Sequence, residues 1–213
     1  MDRSKDFQPT RIFLLRHGHI DNPNGNFYSQ QDVPLSEKGK KQSREVARLL
    51  EPVSFKAIFS SDLSRSLYLA RLLAKSRELT VVKRRELREV DFGAWSGLTW
   101  SEIDELYPGQ LKKRMDNLEH YRPPGGENLA DVRKRVLKIV DEILQKMRGD
   151  TVAIIAHGGT NRIILSHFLK VPIQNCFCLG QDYCCINEVQ IFQDGNVVLE
   201  RLNWKNRIFV ESA

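Results

Sequence analysis

Apolar positions along the chain fall into two kinds of pattern. Short, nearly unbroken apolar runs occupy residues 11–15, 56–59, 80–82 and 151–156. A strand with one wet face alternates apolar and polar residues, so unbroken runs indicate strands covered on both faces. Between these runs the spacing turns helical. Ser36 is placed to cap a helix that runs to about Leu50, where Glu51-Pro52 stops it. Asp62 is placed to cap a second, with Leu63, Leu67, Ala70 and Leu73 on one face. The longest stripe comprises Leu129, Val132, Val136, Ile139, Val140, Ile143, Leu144 and Met147, and Gly149 ends it. Residues 160–169 predict another helix, and 101–106 and 110–118 predict short ones. The chain closes on a predicted hairpin, residues 184–192 and 197–202 around Gln193-Asp194-Gly195-Asn196. Strands alternating with helices predict an α/β fold, a three-layer α/β/α sandwich with a mostly parallel central sheet. Residues 1–9 read as a disordered tail and 10–213 as a single domain, without internal repeats or low-complexity tracts.

In such sheets ligands collect beyond the carboxyl ends of the strands, so the residues leaving each run carry the interest. Two runs end alike: 12–15 pass into Arg16-His17-Gly18, and 154–156 into His157-Gly158-Gly159. Each sets a histidine at the sheet edge beside a glycine that lets a ligand approach the backbone. A helix after the second would turn free amide groups toward an anion. A third run passes into Ser60-Ser61-Asp62-Leu63-Ser64-Arg65, which places Arg65 about one turn into a helix. Arg16 and Arg65 suit two-pronged contacts to phosphate oxygens. A fourth segment, residues 87–97, sets Glu89 and Asp91 among apolar and aromatic residues; burial favours the neutral acid, so such a carboxyl is a candidate proton donor.

Composition narrows the partners. The net charge of +6 in 213 residues favours acidic ligands, but no basic helix interleaved with aromatics points to nucleic acid. No apolar run approaches the ~20 residues that span a bilayer, and the charged start carries no secretory signal; a cytoplasmic protein without a membrane partner is expected. Cys176, Cys178, Cys184 and Cys185 fall within ten residues in a spacing unlike paired zinc knuckles, and read as small buried or half-buried residues around a strand. No acidic cluster suited to magnesium stands out, so neither metal nor cofactor is expected.

Six short motifs occur in a familiar order: Leu14-Leu15-Arg16-His17-Gly18, Pro34-Leu35-Ser36-Glu37-Lys38-Gly39, Ser60-Ser61-Asp62-Leu63-Ser64-Arg65-Ser66, residues 87–95, Pro124-Gly125-Gly126-Glu127-Asn128, and Ala156-His157-Gly158-Gly159. Together they resemble the histidine phosphatase superfamily over residues 11 to about 203. The resemblance implies a phosphoglycerate mutase-like fold. It implies His17 as a nucleophile that becomes phosphohistidine, Arg16, Arg65 and His157 as ligands of the phosphoryl oxygens together with Gly158, and Glu89 as proton donor. Residues 122–133 resemble the small bacterial phosphatases typified by α-ribazole phosphatase, of cobalamin biosynthesis. The compact length is unlike that of the mutases, which carry extra capping segments. Where the family usually reads Arg-His-Gly-Glu-Thr with a later asparagine, this chain has His19, Ile20 and Pro23, and Ser96 stands where a glutamate is common. His19, Asn22 and Asn24 are the candidate pocket-lining residues there. The expectation is hydrolysis of a small phosphorylated metabolite by a monomer or homodimer. The alternatives are a phosphoglycerate mutase or a broad-specificity phosphatase and, in another class, an inactive phosphate-binding or interaction module on the same fold.

Overall fold

The computed structural model describes residues 8–205; residues 1–7 of the expected tail, and 206–213 of the expected domain, lie outside the described residues. In chain order the elements are β1 (Thr10–Arg16), α1 (Glu37–Leu49), β2 (Ala57–Ser60), α2 (Ser64–Lys75), β3 (Val81–Lys83), α3 (Trp100–Leu106), α4 (Gln110–Asp116), α5 (Leu129–Lys146), β4 (Thr151–Ala156), α6 (Gly158–Phe168), β5 (Ile186–Ile191) and β6 (Val197–Trp204). The six strands form one sheet in the order β3-β2-β4-β1-β5-β6. The first four are mutually parallel, and β5 and β6 join as antiparallel neighbours.

Alternate residues of the central strands explain the unbroken apolar runs. Ile12 and Leu14 of β1, with Val152 and Ile154 of β4, face a layer made by α5 and α6 through Val136, Val140 and Ile164. Phe13 and Leu15, with Ala153 and Ile155, face the opposite layer made by α1 and α2 through Val46, Leu69 and Leu73. The three expected layers are present. Ser36 caps α1 by accepting from the Gly39 amide, and Asn128 caps α5 in a reciprocal box with Asp131.

Three boundary expectations are corrected. Asp62 does not cap α2; its carboxylate is held by Arg88 Nε and Nη2 at 2.6 and 2.7 Å, and the cap position falls to Leu63 without a side-chain bond. The helix expected from Thr160 begins at Gly158, directly on leaving β4, with His157 at the cap position. The hairpin's first strand starts at Ile186 because Cys184 takes a left-handed φ of 57°, which interrupts extended backbone. Among the described residues, no helix is long and apolar enough to cross a membrane.

The loop after β1 is pressed against the first turn of α1. A β-carbon at Gly39 would overlap the His19 carbonyl oxygen, and one at Gly18 would overlap the Gly39 carbonyl oxygen. Gly39→Ala is therefore expected to destabilise by about 1–3 kcal/mol. At roughly 2–4 °C per kcal/mol for a chain of this size, a thermal melt should fall by several degrees. An unchanged Tm would contradict so close a contact.

Candidate active site

The site grows from the register of one strand pair. Arg16 of β1 lies opposite Ala156 of β4, so the next residue of each strand, His17 and His157, leaves the sheet at the same level. Their rings stand 5.0 Å apart, edge to face, and are 3% and 0% exposed. His17 Nδ1 lies 2.8 Å from the Gly18 carbonyl oxygen. A carbonyl only accepts, so this contact places the proton on Nδ1 and leaves the lone pair on Nε2. His157 Nε2 lies 3.4 Å from Ser66 Oγ.

Two arginines flank the pair, and among the described residues neither is paired with a carboxylate. Arg16 Nη1 donates to the Gln181 carbonyl at 2.5 Å, and its guanidinium lies 4.0 Å over the Tyr183 ring. Arg65, the second residue of α2, donates from Nη1 to Gln31 O at 2.6 Å and from Nη2 to Ser29 O at 2.8 Å. Backbone carbonyls fix the geometry of both side chains without cancelling their charge. Arg16 Nε, Arg65 Nε and His157 Nδ1 are buried and carry no hydrogen-bond partner. Buried polar atoms are ordinarily satisfied; of these three residues, Arg16 and Arg65 also line the pocket beside His17, whereas the fully buried His157 does not.

Glu89 closes the far side. It is half-buried, but amides rather than apolar side chains surround its oxygens. Oε1 accepts from Val90 N at 2.9 Å and Thr160 N at 3.1 Å, and Oε2 from Gly159 N at 3.1 Å. The amides at the start of α6, expected to face an external anion, are thus taken by this carboxylate. Two carboxylate oxygens offer about four acceptor positions, which leaves room for one more partner. Arg135 on α5 sets the segment's position: it donates to the carbonyls of Glu86, Arg88 and Glu89 while paired with Glu127.

A pocket of about 420 Å³ opens on these groups, lined by Arg16, His17, Arg65 and Glu89. Asn22 lines it as expected, and Asn24 does not: it is exposed, and Asn26 lines the pocket in its place. His19 lines an adjoining cleft, its ring 5.3 Å from Tyr183 and its Nδ1 2.7 Å from Ser36 Oγ. Gly158 sits against the Arg16 guanidinium, outside the main pocket. Of the cysteines, Cys176, Cys184 and Cys185 are buried and Cys178 is exposed, contrary to its expected burial. Burial pushes the Cys184 thiol up to about 12 and the Cys185 thiol up to about 11. Among the described residues, no group of three His, Cys, Asp or Glu side chains is placed to hold a metal.

Several lining residues escaped the sequence reading. Arg162 lies four residues after Gly158, on the same face of α6, a spacing that was available as a signal. Phe27, Phe92 and Trp100 form an aromatic wall with ring centroids 4.9 and 4.8 Å apart; Phe92 fell within the 87–95 motif without being singled out, and no motif marked Phe27 or Trp100. Tyr183 is brought beside Arg16 only by the β1–β5 pairing and its flanking bonds, Arg16 N to Cys185 O and Cys184 N to His17 O.

The family profile of the histidine phosphatase superfamily (branch 1) matches residues 12–205. The chain is 29% identical over 191 residues to phosphoserine phosphatase 1 of Hydrogenobacter thermophilus, covering 89% of this chain and 90% of that one. It is 34% identical over 180 residues to the glucosyl-3-phosphoglycerate phosphatase of Mycobacterium tuberculosis, covering 80% of each. The solved structure of a putative α-ribazole-5′-P phosphatase from Escherichia coli superposes with a TM-score of 0.85 over 92% of this chain and 97% of that one, at 24% identity. That likeness speaks for the fold and not for the substrate.

Burial, then the Arg16 and Arg65 charges, holds the His17 imidazole well below its ordinary value of 6.5. Burial, then Arg65, His17, Arg16 and Arg135, does the same for His157. Both folded values lie below that of the unfolded chain, near 6.5. The stability they contribute is therefore complete above about 6.5, and is lost as pH falls from there toward the folded values. Chemical denaturation at stepped pH should show that decline, and NMR titration should find neither ring charging near 6.5. A midpoint at or above 6.5 for His17 would contradict the electrostatic account.

Proposed function

The chain belongs to the histidine phosphatase superfamily (branch 1) and is a phosphatase; we propose that it hydrolyses a phosphomonoester of a small metabolite through a phosphohistidine on His17. The observation that carries this reading is the neutral His17, its Nε2 free, among three buried nitrogens without partners. Arg16, Arg65 and His157 bind the phosphoryl oxygens and stabilise the charge that builds on them. The Nε2 lone pair forms the bond to phosphorus as the bond to the leaving oxygen breaks, and Glu89 gives that oxygen a proton. Water then attacks the phosphohistidine, Glu89 takes its proton, the N–P bond breaks, and inorganic phosphate leaves with His17 neutral again. The positive charge comes from arginine, so no metal or cofactor enters the scheme.

The proposal extends to a single domain over residues 10–213 and a cytoplasmic setting. α-Ribazole 5′-phosphate stands as a candidate substrate on the resemblance of residues 122–133. Hydrolysis is favoured over mutase action by the relatives named as phosphatases.

Purified protein should release phosphate from an aryl phosphate, with EDTA making no difference. His17→Ala should lower kcat by at least ~10³-fold; retention of wild-type turnover would refute the nucleophile. Glu89→Gln should lose far more on alkyl phosphates than on aryl phosphates, whose leaving group needs no proton. Equal losses on the two would refute its role as the acid. Proton transfer of this kind is worth about 10²–10⁴-fold.

A further inference from the structure

Arg16 and Arg65 line the same pocket but are held differently. Arg65 is 1% exposed, and two carbonyl acceptors fix its fork. Arg16 is half-buried, and among the described residues its side chain makes a single hydrogen bond, from Nη1 to the Gln181 carbonyl. One bond lets a planar guanidinium swivel about it. The second restraint is an aromatic face: the Arg16 guanidinium carbon lies 4.0 Å from the Tyr183 ring centroid, closer than any other cation–ring contact among the described residues. Tyr183 is itself fixed. Its ring stands 5.6 Å from that of His17 and 5.3 Å from that of His19, and His19 Nδ1 lies 2.7 Å from the hydroxyl of Ser36, the residue that caps α1. The residue after it, Cys184, takes a left-handed φ of 57°. A residue with a β-carbon keeps that conformation only where its surroundings impose it. Here the Cys184 amide donates to the His17 carbonyl at 3.1 Å, and the Arg16 amide donates to the Cys185 carbonyl at 3.3 Å. The strained turn is therefore tied to the backbone of Arg16 and His17, the two residues that the Tyr183 ring lies against.

We propose that Tyr183 is a positioning residue for phosphoryl transfer: its ring face, backed by His19, holds the Arg16 guanidinium in the plane from which it meets the phosphoryl oxygens. The proposal rests on the phosphatase reading and adds to it a residue that no motif marked. An aromatic ring suits this task. Its quadrupole attracts a cation and stacks on a planar guanidinium, yet it carries no net charge. It therefore orients Arg16 as a carboxylate would, and leaves the positive charge for the substrate. The contact runs through the face of the ring and not through the hydroxyl, so phenylalanine can replace tyrosine here and an aliphatic side chain cannot. Arg16 meets the phosphoryl group that every substrate shares. Losing its brace should then cost the same whatever the leaving group, unlike the loss of the Glu89 proton.

The test is a double-mutant cycle between Tyr183 and Arg16, read as kcat/KM for p-nitrophenyl phosphate and phenyl phosphate, with inorganic phosphate binding followed by calorimetry. Tyr183→Leu should lower kcat/KM for both esters by about 10- to 30-fold, the range that a desolvated cation–ring contact supplies, and should weaken phosphate binding. Tyr183→Phe should stay within about threefold of the wild type on both readouts, because it keeps the ring face. In an Arg16→Ala background the same Tyr183→Leu change should cost less than about twofold, since the group it positions is gone. Losses that multiply in the double variant overturn the proposal, because a tyrosine that merely supports the fold acts whether or not Arg16 is present. A Phe variant as impaired as the Leu variant also overturns it, by moving the function to the hydroxyl. So does a Leu variant that matches the wild type. No turnover of either ester by the wild type would instead refute the phosphatase reading, and phosphate binding by the Leu and Phe variants would then decide the brace by itself.

Discussion

Positive charge held in place without being neutralised is the constraint on which this structure depends. Arg16, Arg65 and Arg162 are anchored by carbonyl oxygens of Gln181, Gln31, Ser29 and Leu179, and no carboxylate pairs with them among the described residues. The arginines just outside behave differently. Arg88 is paired with Asp62, Arg122 with Asp131 and Arg135 with Glu127. A carbonyl dipole orients a guanidinium while leaving its net charge available, whereas a carboxylate consumes it. The inner group keeps its field for a substrate anion, and the outer group spends its field on the scaffold.

The same field governs the histidines. Burial together with neighbouring cations keeps His17 and His157 neutral, which a nucleophile requires and an exposed imidazole at mildly acidic pH would not provide. The β1–β4 register brings the two rings to one level, and the β1–β5 pairing delivers Tyr183 to the face of Arg16. Glu89, the carboxylate that lines the pocket among the described residues, is held by amides of α6 and by the backbone clamp of Arg135 rather than by an ion pair. It therefore stays close to the arginines without quenching them.

Much of this was legible in the sequence, because it depends on short-range pattern. Unbroken apolar runs marked the doubly covered strands, and what followed them named Arg16, His17, Arg65, Glu89 and His157. What was not legible depends on long-range pairing. The Asp62 cap was lost to Arg88, twenty-six residues away. The amides after His157 were claimed by Glu89, about seventy residues away. Tyr183 belongs to no motif, and only the packing of distant segments brings it near the site. In the loop after β1 the departures from the family pattern pointed to the right stretch but not to each side chain: Asn22 lines the pocket, Asn24 does not, and Asn26 does.

The central claim is that this cluster of unneutralised arginines drives phosphoryl transfer onto a neutral His17. The most direct measurement is to mix the enzyme with an excess of aryl phosphate, quench in alkali within the first turnover, and map the modified peptide by mass spectrometry. The account predicts one phosphoryl group on the peptide containing His17, stable in base and released in acid, as a phosphoramidate is. Turnover without any phosphorylated peptide, or with the group on a serine or on His157, would contradict it.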